Sequence, residues 1–263
     1  MRIASWNINS VRARLDLVDR FLKDYQPDIL CLQEIKVMTE LFPRDFFTER
    51  GYDHMAIHGQ KNHHGVATVS RVPLASEDIT NWCDKGDARH VRIGVDVASD
   101  RIFLDNFYVP AGGDVADREV NDKFGHKLDF MDEMIEWSSK LKESTILVGD
   151  LNVAPLPSDV WSHKSLLKVV SHTPVETDKM QDMLSAHDWL DVMRHITPAP
   201  ERLFSWWSYR ARDWRASDRG RRLDHVWASP QLKNSVKDCR VIEDARGWEK
   251  PSDHAPVIAD FDF

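Results

Sequence analysis

Two predicted buried strands of this sequence run into polar side chains. The stretch TILVGDLN (145–152) leads from β-prone residues to Asp150 and Asn152, and the stretch DILCLQE (28–34) ends on Glu34. A turn or a helix cap explains each residue singly, since Asp, Asn and Glu are common in both. Together they indicate a site, because a charged group on a buried strand must be paired or bound to a metal.

Five further residues repeat this pattern along the chain. They are Asn7 in RIASWNI, Tyr108 in IFLDNFYV, Asp224 in RRLDHVWAS, and Asp253 with His254 in EKPSDHAPV. Glutamate, aspartate and asparagine oxygens form a hard ligand set. This set suits Mg²⁺, which keeps several water ligands and also binds the phosphate of the substrate. The same set suits zinc poorly. The sequence therefore predicts a Mg²⁺ site, with Mn²⁺ as an alternative ion.

The same residues divide into the roles that phosphoester hydrolysis requires. Asp150 is suited to take a proton from an attacking water, and Asn152 and Tyr108 to donate hydrogen bonds to the phosphorus oxygens. A histidine beside acids keeps one tautomer and a raised proton affinity, so His254 can hold a phosphoryl oxygen or exchange a proton. Metal-assisted phosphoester hydrolysis is the reaction class that uses every part.

The elements that must carry these residues alternate between β-rich and helical runs. VRARLDLVDRFLKDY has a period of 3.6 with Val11, Leu15, Val18 and Leu22 on one face, and a long helix is predicted over 120–142. Several middle strands follow one another without room for helices. This spacing favours antiparallel pairing and a two-sheet α/β body over a doubly wound parallel sheet.

Length and composition favour one catalytic domain over residues 1–263, with 42% apolar residues and no linker that divides the chain. No apolar run approaches the roughly 18 residues of a membrane span, and MRIASWNINS lacks the apolar core of a secretory signal. Cys31, Cys83 and Cys239 form no C-x-x-C pair. We expect a soluble cytoplasmic protein that binds no membrane.

The net charge of −8 argues against general affinity of the surface for a polyanion. Residues 201–222 are the exception, with seven arginines against three acids and interleaved aromatic residues. Such a segment is either a solvated loop or a nucleic-acid surface on which guanidinium binds phosphate and rings stack on bases. We predict that the loop from Arg210 to Arg215 inserts into duplex DNA with Trp214 as a wedge. The alternative is that Trp214 packs under its own loop.

Eight segments in order resemble the exonuclease III family of the endonuclease/exonuclease/phosphatase superfamily, from residue 2 to the C-terminus. They are WNINSVRAR, LQEIK, GVATVSR, YVPAGG, GDLNVAP, FSWWSYRA, GRRLDHVWAS and KPSDHAPV. The resemblance implies a four-layered α/β sandwich, in which two mixed β-sheets are flanked by helices. It also implies a monomeric, Mg²⁺-dependent DNA repair nuclease that cleaves duplex DNA at abasic sites and acts on 3′ ends as exonuclease and phosphatase.

The resemblance also implies roles residue by residue, with Asn7 and Glu34 as the metal pole and Asp224 orienting the histidine. The set expected around the metal is Asn7, Glu34, Asp150, Asn152, Asp253 and His254. The residues expected to act in catalysis are Tyr108, Asp150, Asn152, Asp224 and His254. The residues expected to contact DNA are Arg210, Arg212, Trp214, Arg215, Trp206, Arg221 and Leu223.

Three positions depart from the family pattern. The family often has an acid at Ser208, an asparagine at Ala111 and an apolar residue at Arg221. Arg221 stands near the pocket that the family uses for the base-less sugar, where Trp206 and Leu223 form the apolar walls. Two alternatives to the repair nuclease are considered: another phosphoesterase of the superfamily, either deoxyribonuclease I-like or a phosphoinositide phosphatase, and a noncatalytic DNA-binding relative.

Overall fold

The computed structural model describes residues 1–98, 100–211 and 213–263. Within them, two six-stranded sheets pack face to face. The first sheet contains, in spatial order, β13 (Val236–Val241), β14 (Val257–Phe261), β1 (Arg2–Asn7), β2 (Ile29–Gln33), β4 (Val66–Ser70) and β3 (His54–His58). The second contains β5 (Ser76–Asp78), β6 (His90–Val97), β7 (Asp100–Tyr108), β8 (Thr145–Asp150), β12 (Asp224–Ala228) and β9 (Leu190–Asp191).

A two-stranded ribbon and several helices complete the described part of the chain. The ribbon pairs β10 (Trp206–Trp207) with β11 (Gly220–Arg221). The α-helices are α1 (Leu15–Tyr25), α2 (Arg44–Thr48), α3 (Asp122–Lys140), α4 (His163–Leu166), α5 (Pro174–Ala186), α6 (Val192–Ile196) and α7 (Trp214–Ser217). Short 3₁₀ segments cover Thr39–Leu41, Trp82–Asp84, Pro157–Asp159, Pro230–Ser235 and Glu243–Gly247.

Alternation along the strands produces the layers. In β1, Ile3 faces the interior between the sheets, whereas Ala4 and Trp6 face the cluster that contains α1. In β8, Val148 faces the same interior and Leu147 packs with α3 and α5. Both sheets are mixed, since β1–β2 and β7–β8 are parallel and their other neighbours are antiparallel. The predicted four-layered α/β sandwich is confirmed.

Both predicted helices are present with small differences at their ends. The first begins at Leu15, so Leu15, Val18 and Leu22 lie on it, whereas Val11 is buried in the loop that precedes it. The helix predicted over 120–142 spans Asp122–Lys140, because the Asn121 side chain accepts a hydrogen bond from the backbone of Lys123 and caps the first turn.

Gly149 has a different role from the turn that its sequence context suggests. Strand β8 continues through Gly149, whose φ is 141°, to Asp150. A Cβ on Gly149 would lie 2.0 Å from the carbonyl oxygen of Phe107 on the neighbouring strand. The glycine therefore allows β7 to approach closely, and the chain leaves the strand at Asn152, whose φ is 56°.

None of the described helices has both the length and the apolar character that a membrane span requires. The three cysteines are unpaired, and Cys31 and Cys239 are buried. Burial raises the pKa of the Cys31 thiol to about 12, so it is an inert core residue.

Candidate active site

The predicted catalytic residues meet at one end of the space between the two sheets. Asn7, Tyr108 and Asp150 are the last residues of the strands β1, β7 and β8. Asp224 begins β12, which runs antiparallel to β8 with Asp224 opposite Asp150. Each side chain continues the inward-facing alternate positions of its strand, as Val148 does before Asp150. Strand ends and alternation together direct these polar groups into one place.

Asn7 connects the two sheets at this end. Its amide Nδ2 donates to Glu34 Oε1 and to Asp150 Oδ2, both at 2.9 Å. The phenol of Tyr108 donates to the same Glu34 oxygen at 2.9 Å. Glu34, directly after β2 of the first sheet, is therefore joined through one buried amide to Asp150 on the second.

Glu34 is held ionised among these donors. Burial by itself would raise its pKa, but Lys36, whose Nζ lies 2.8 Å from Oε2, and the hydrogen bond from Asn7 lower the pKa below its ordinary value. Its backbone has a φ of 49°, a conformation that non-glycine residues adopt at a cost and that occurs at functional sites. A charged carboxylate is thus presented at the edge of a cavity.

Asp224 orients His254 and stabilises its protonated form. His254 Nδ1 lies 2.8 Å from Asp224 Oδ2, and Nε2 lies 3.6 Å from Asp150 Oδ2. Burial would lower the pKa of His254, but the negative charges of Asp224 and Asp150 outweigh it and raise the pKa to about 10. Ser205 donates to the same Asp224 oxygen at 2.7 Å, which fixes the carboxylate. The histidine is therefore an imidazolium at neutral pH.

Asp150 titrates near neutral pH, whereas Tyr108 does not. Burial raises the pKa of Asp150 to about 7, although the positive charge of His254 opposes the shift. Burial and the nearby charge of Glu34 raise the pKa of Tyr108 well above its ordinary value. The carboxyl group can therefore exchange a proton near pH 7, whereas the phenol stays neutral and can donate a hydrogen bond.

Hydrogen bonds to Asp150, Val109 and a buried lysine hold Asn152 in place. Its N–H donates to Asp150 Oδ1 at 2.9 Å, and its Nδ2 donates to the carbonyl of Val109 at 2.9 Å. The carbonyl of Asn152 accepts a hydrogen bond of 2.8 Å from Lys127, which is fully buried and paired with Glu176. The left-handed turn at Asn152 is therefore fixed from both sides.

Asp253 lies at the rim of the site rather than against the other carboxylates. It accepts hydrogen bonds from Trp206 Nε1 at 3.0 Å and from Asn9 Nδ2 at 3.3 Å. Asn9, Lys36, Ser205 and Lys127 are site residues that sequence reasoning did not select. Asn9, Lys36 and Ser205 stand in the quoted motifs WNINSVRAR, LQEIK and FSWWSYRA, whereas nothing local marks Lys127.

The site contains side chains that can hold a metal ion. Asp150, Asp224 and His254 have possible ligand atoms within 4.8 Å of one another, although His254 must lose a proton before its nitrogen can bind a metal. Asn7 links Asp150 to the ionised Glu34. The carboxylate and amide donors of the site are oxygens, and no cysteine is among the described residues that line the cavity. These residues fit a hard divalent cation better than a thiophilic one.

Comparison with known proteins identifies the family. A model of the endonuclease/exonuclease/phosphatase family matches residues 4–254. The chain belongs to this family. Exodeoxyribonuclease III of Haemophilus influenzae is 32% identical over 272 residues, which cover 99% of this chain and 100% of that protein. The predicted family and the predicted class, a metal-dependent nuclease, are confirmed.

Solved structures of this family share the whole fold. An AP endonuclease from Archaeoglobus fulgidus superposes with a TM-score of 0.92 at 32% identity, with both chains covered completely. A 3′ phosphatase from Neisseria, bound to a product DNA hairpin, superposes with a TM-score of 0.90 at 30% identity, again over both whole chains. Solved structures with this fold therefore include both an AP endonuclease and a 3′ phosphatase.

Two connected cavities open at the site. The catalytic cavity has a volume of about 260 Å³, and its lining includes Glu34, Asp150 and His254. A groove of about 790 Å³ adjoins it, and Gly113, Val170, Trp206 and Arg221 line both. Ala111 and Leu223 line the catalytic cavity, and Ser208 lines the groove.

Only some of the residues predicted to contact DNA line this groove: Trp206, Arg210 and Arg221 do, whereas Trp214 and Arg215 line neither cavity. Arg210 lines it and is exposed. Trp214 is half-buried, with its ring centre 5.1 Å from that of Trp207, and the exposed Arg215 lies 3.1 Å from Asp244. Arg212 lies outside the described residues. Whether Trp214 enters DNA stays a prediction.

Proposed function

We propose that this nuclease repairs DNA by hydrolysing phosphodiesters of duplex DNA with Mg²⁺, at abasic sites and at 3′ ends. One observation carries the proposal: the hydrogen-bonded series Glu34–Asn7–Asp150, with Asp150 facing the His254–Asp224 pair. It supplies a proton acceptor, a fixed cation and an ionised metal ligand around one cavity. In phosphoryl transfer to water, these groups accept the proton of the water, stabilise negative charge on the phosphate and bind the metal ion.

Asp150 is the proposed proton acceptor. Water attacks phosphorus, a new P–O bond forms, and the water's proton passes to the Asp150 carboxylate while the bond to the 3′ oxygen breaks. The pKa of about 7 suits this role, because a base is most effective when its pKa lies near the working pH. The departing 3′ oxygen takes a proton from solvent.

Three side chains that line the cavity can stabilise the charge that develops on the phosphorus oxygens: the imidazolium of His254, the amide of Asn152 and the phenol of Tyr108. Without substrate, the Tyr108 hydroxyl donates to Glu34 and the Asn152 amide to the carbonyl of Val109, so the phosphate must replace these acceptors. A donor directed at developing charge is worth roughly 3 to 4 kcal/mol in the transition state. Asp224 acts through the histidine, by fixing its orientation and its charge.

Glu34 and Asn7 are the proposed metal pole, together with Asp150, Asn152, Asp253 and His254 as the surrounding set. A bound Mg²⁺ would supply Lewis-acid stabilisation of the phosphoryl oxygens, and Mn²⁺ has the same preference for oxygen ligands. Glu34 supports this assignment through its lowered pKa, since a ligand carboxylate must be ionised.

We also propose that residues 1–263 form one catalytic domain that works as a monomer in the cytoplasm. The two sheets share one interior, which supports a single domain. All the residues that line the catalytic cavity belong to one chain, so the site needs no second subunit, which supports a monomer. The three unpaired cysteines are usual for a reducing compartment.

The test compares the purified protein on matched duplexes that bear an abasic site, a 3′-phosphate or a recessed 3′ end, with Mg²⁺ and with a chelator. We expect chelator-sensitive turnover on at least one of them, and its loss in Asp150→Asn. An inositol phosphate serves as the competing substrate. Turnover of that compound without turnover of any duplex, or no turnover with Mg²⁺ or Mn²⁺, would contradict the proposal.

A further inference from the structure

The chain leaves β8 through four residues that are buried but belong to no strand or helix. Leu151, Asn152, Val153 and Ala154 are each at most 9% exposed. Buried carbonyl groups need hydrogen-bond donors, because leaving one unpaired costs free energy. In the described part of the chain, no backbone N–H donates to the carbonyls of Asn152, Val153 or Ala154. Side chains must therefore supply the donors.

Three buried side chains do so, one for each successive carbonyl. Lys127 Nζ donates to Asn152 at 2.8 Å, His225 Nε2 donates to Val153 at 2.8 Å, and His172 Nδ1 donates to Ala154 at 2.5 Å. Each of the three side chains is at most 1% exposed. They lie on α3, on β12 and directly before α5. The turn after β8 is thus fixed from three directions.

The proton position on each histidine ring follows from its acceptor. A carbonyl only accepts, so the proton lies on Nε2 in His225 and on Nδ1 in His172. Burial lowers the pKa of both histidines, to about 4 in His225, so each neutral ring carries one N–H. The bare Nε2 of His172 lies 2.8 Å from His163 Nδ1, which donates to it. The two rings are therefore opposite tautomers.

The turn that these side chains hold carries Asn152, a proposed donor to the phosphate. Asn152 has a φ of 56°, in the left-handed region that glycine adopts most freely. Because peptide groups are planar, fixing three successive carbonyls leaves the backbone of the turn little freedom to rotate. A donor to developing charge is effective only when its position is fixed before the reaction.

We propose that Lys127, His172 and His225 are positioning residues, which hold the turn so that the amide of Asn152 meets the phosphorus oxygens. This inference rests on the proposed nuclease function and adds how one of its donors is held. None of the three side chains lines the catalytic cavity, so they act through Asn152. Their loss should lower kcat and leave the Mg²⁺ requirement, which depends on Glu34, nearly unchanged.

Pairs of variants of similar size test the two histidines. His225→Gln keeps an N–H near the position of Nε2, whereas His225→Met has a similar length and no donor; His172→Asn and His172→Leu form the same kind of pair. We expect kcat on duplex DNA to fall roughly tenfold or more in the Met and Leu variants, because a buried carbonyl loses its partner. The Gln and Asn variants should stay within about threefold of wild type. Equal losses within each pair would overturn the inference.

A histidine elsewhere in the chain provides the matched control. His58 Nδ1 lies 3.2 Å from the carbonyl of His90, and neither residue lines the catalytic cavity. His58→Leu should keep kcat within about twofold, at a temperature where every variant is folded. A loss as large as that of His172→Leu would overturn the inference. Lys127 is less suitable for this comparison, because its removal also leaves Glu176 unpaired.

A second substitution shows whether the histidines act through Asn152. Asn152→Gly removes the amide but accepts the same backbone angle. In that background, kcat of His225→Gln and His225→Met should differ by no more than about twofold, because no amide is left to position. A persisting tenfold difference would overturn the positioning role and leave the nuclease function intact. Wild-type kcat in Asn152→Gly would contradict both the proposed role of Asn152 and its positioning.

Nitrogen NMR of the imidazole rings tests the hydrogen bonds without substrate. At neutral pH, the wild-type protein should show His225 protonated at Nε2 and His172 at Nδ1. The reverse tautomer in either ring would overturn the inference, whatever the protein cleaves. If the protein shows the expected tautomers but cleaves no duplex, the proposed function is wrong and the positioning role falls with it, although the hydrogen bonds are in place.

Discussion

Replacing Asp224 by asparagine removes the charge that holds His254 protonated but keeps the shape of the side chain. In the folded protein this carboxylate lies 2.8 Å from His254 Nδ1, and both residues are buried. An asparagine can still accept a hydrogen bond from Nδ1, so the histidine keeps a partner. The imidazolium of His254, however, loses the negative charge of Asp224 that stabilises it.

The expected effect follows from the buried ion pair. A hydrogen bond to a charged group contributes about 1.5–3 kcal/mol, and the lost attraction to the imidazolium adds to it. Taking about 2 to 4 kcal/mol as the loss of transition-state stabilisation predicts a kcat lower by roughly 30- to 1000-fold. KM should change less, because the imidazolium acts mainly on charge that develops during the reaction.

The pH dependence has a defined sign. The pKa of His254 is raised to about 10, so its protonated form persists at neutral pH and is lost as the pH rises through that value. Without the charge of Asp224, the loss should begin at lower pH, nearer the ordinary histidine pKa of about 6.5. The alkaline side of the kcat profile should therefore move to lower pH in Asp224→Asn.

The assay is cleavage of a duplex substrate from pH 5.5 to 10 at saturating Mg²⁺, with melting temperature measured at each pH. Ser205→Ala is the control that keeps the charge of Asp224, although it removes the hydrogen bond from Ser205 Oγ to the Asp224 carboxylate and the two that Oγ accepts from the backbone of Leu223 and Asp224. That variant should lose less kcat than Asp224→Asn, and the alkaline side of its profile should stay in place, because the charge that stabilises the imidazolium remains. An unshifted alkaline side, or a kcat within threefold of wild type in Asp224→Asn, would refute the reasoning.

Four other predictions follow from the same geometry. Glu34→Gln should raise the Mg²⁺ concentration needed for half-maximal rate and lower turnover steeply; full activity at low Mg²⁺ would exclude it as a ligand. Asp150→Asn and His254→Ala should each remove most of the rate, and the double variant should lose little more, whereas multiplicative losses would mean independent roles. Trp214→Ala should slow cleavage of an abasic duplex more than hydrolysis of a small phosphodiester. Equal losses on both substrates, or a lowered melting temperature, would show that Trp214 packs within the protein instead. Lys127→Met should cost about 3–5 kcal/mol in urea unfolding, because it leaves Glu176 buried and unpaired; an unchanged midpoint would contradict this.

Local sequence pattern predicted a two-sheet α/β body and several polar residues of the candidate site, whereas the four layers were implied by the family resemblance. Alternating apolar residues marked the strands, and the period of 3.6 marked α1 and α3, because each element must cover one face of a shared core. Polar residues at strand ends could be recognised for the same reason, since a buried strand selects against them. Asn7, Asp150 and Tyr108 were found in this way.

Local sequence pattern is misleading at Gly149 and Val11, where contacts with residues distant in sequence determine the backbone conformation. The sequence context of Gly149 favours a turn, but the carbonyl of Phe107 on the adjacent strand requires a glycine within β8. Val11 fits the helical period, yet α1 begins only at Leu15, and Val11 is buried in the loop before it. Propensity and periodicity carry no information about a strand or loop that is distant in sequence.

Only the tertiary structure decided how the polar residues act on one another. The pairing of β8 with β12 places Asp224 opposite Asp150, and the packing of the two sheets places Asn7 between Glu34 and Asp150. The proton states follow from those contacts and from burial, neither of which a single segment contains. The hydrogen bonds from Lys127, His172 and His225 to the turn after β8 have the same origin, because their donors lie on segments that only folding brings together.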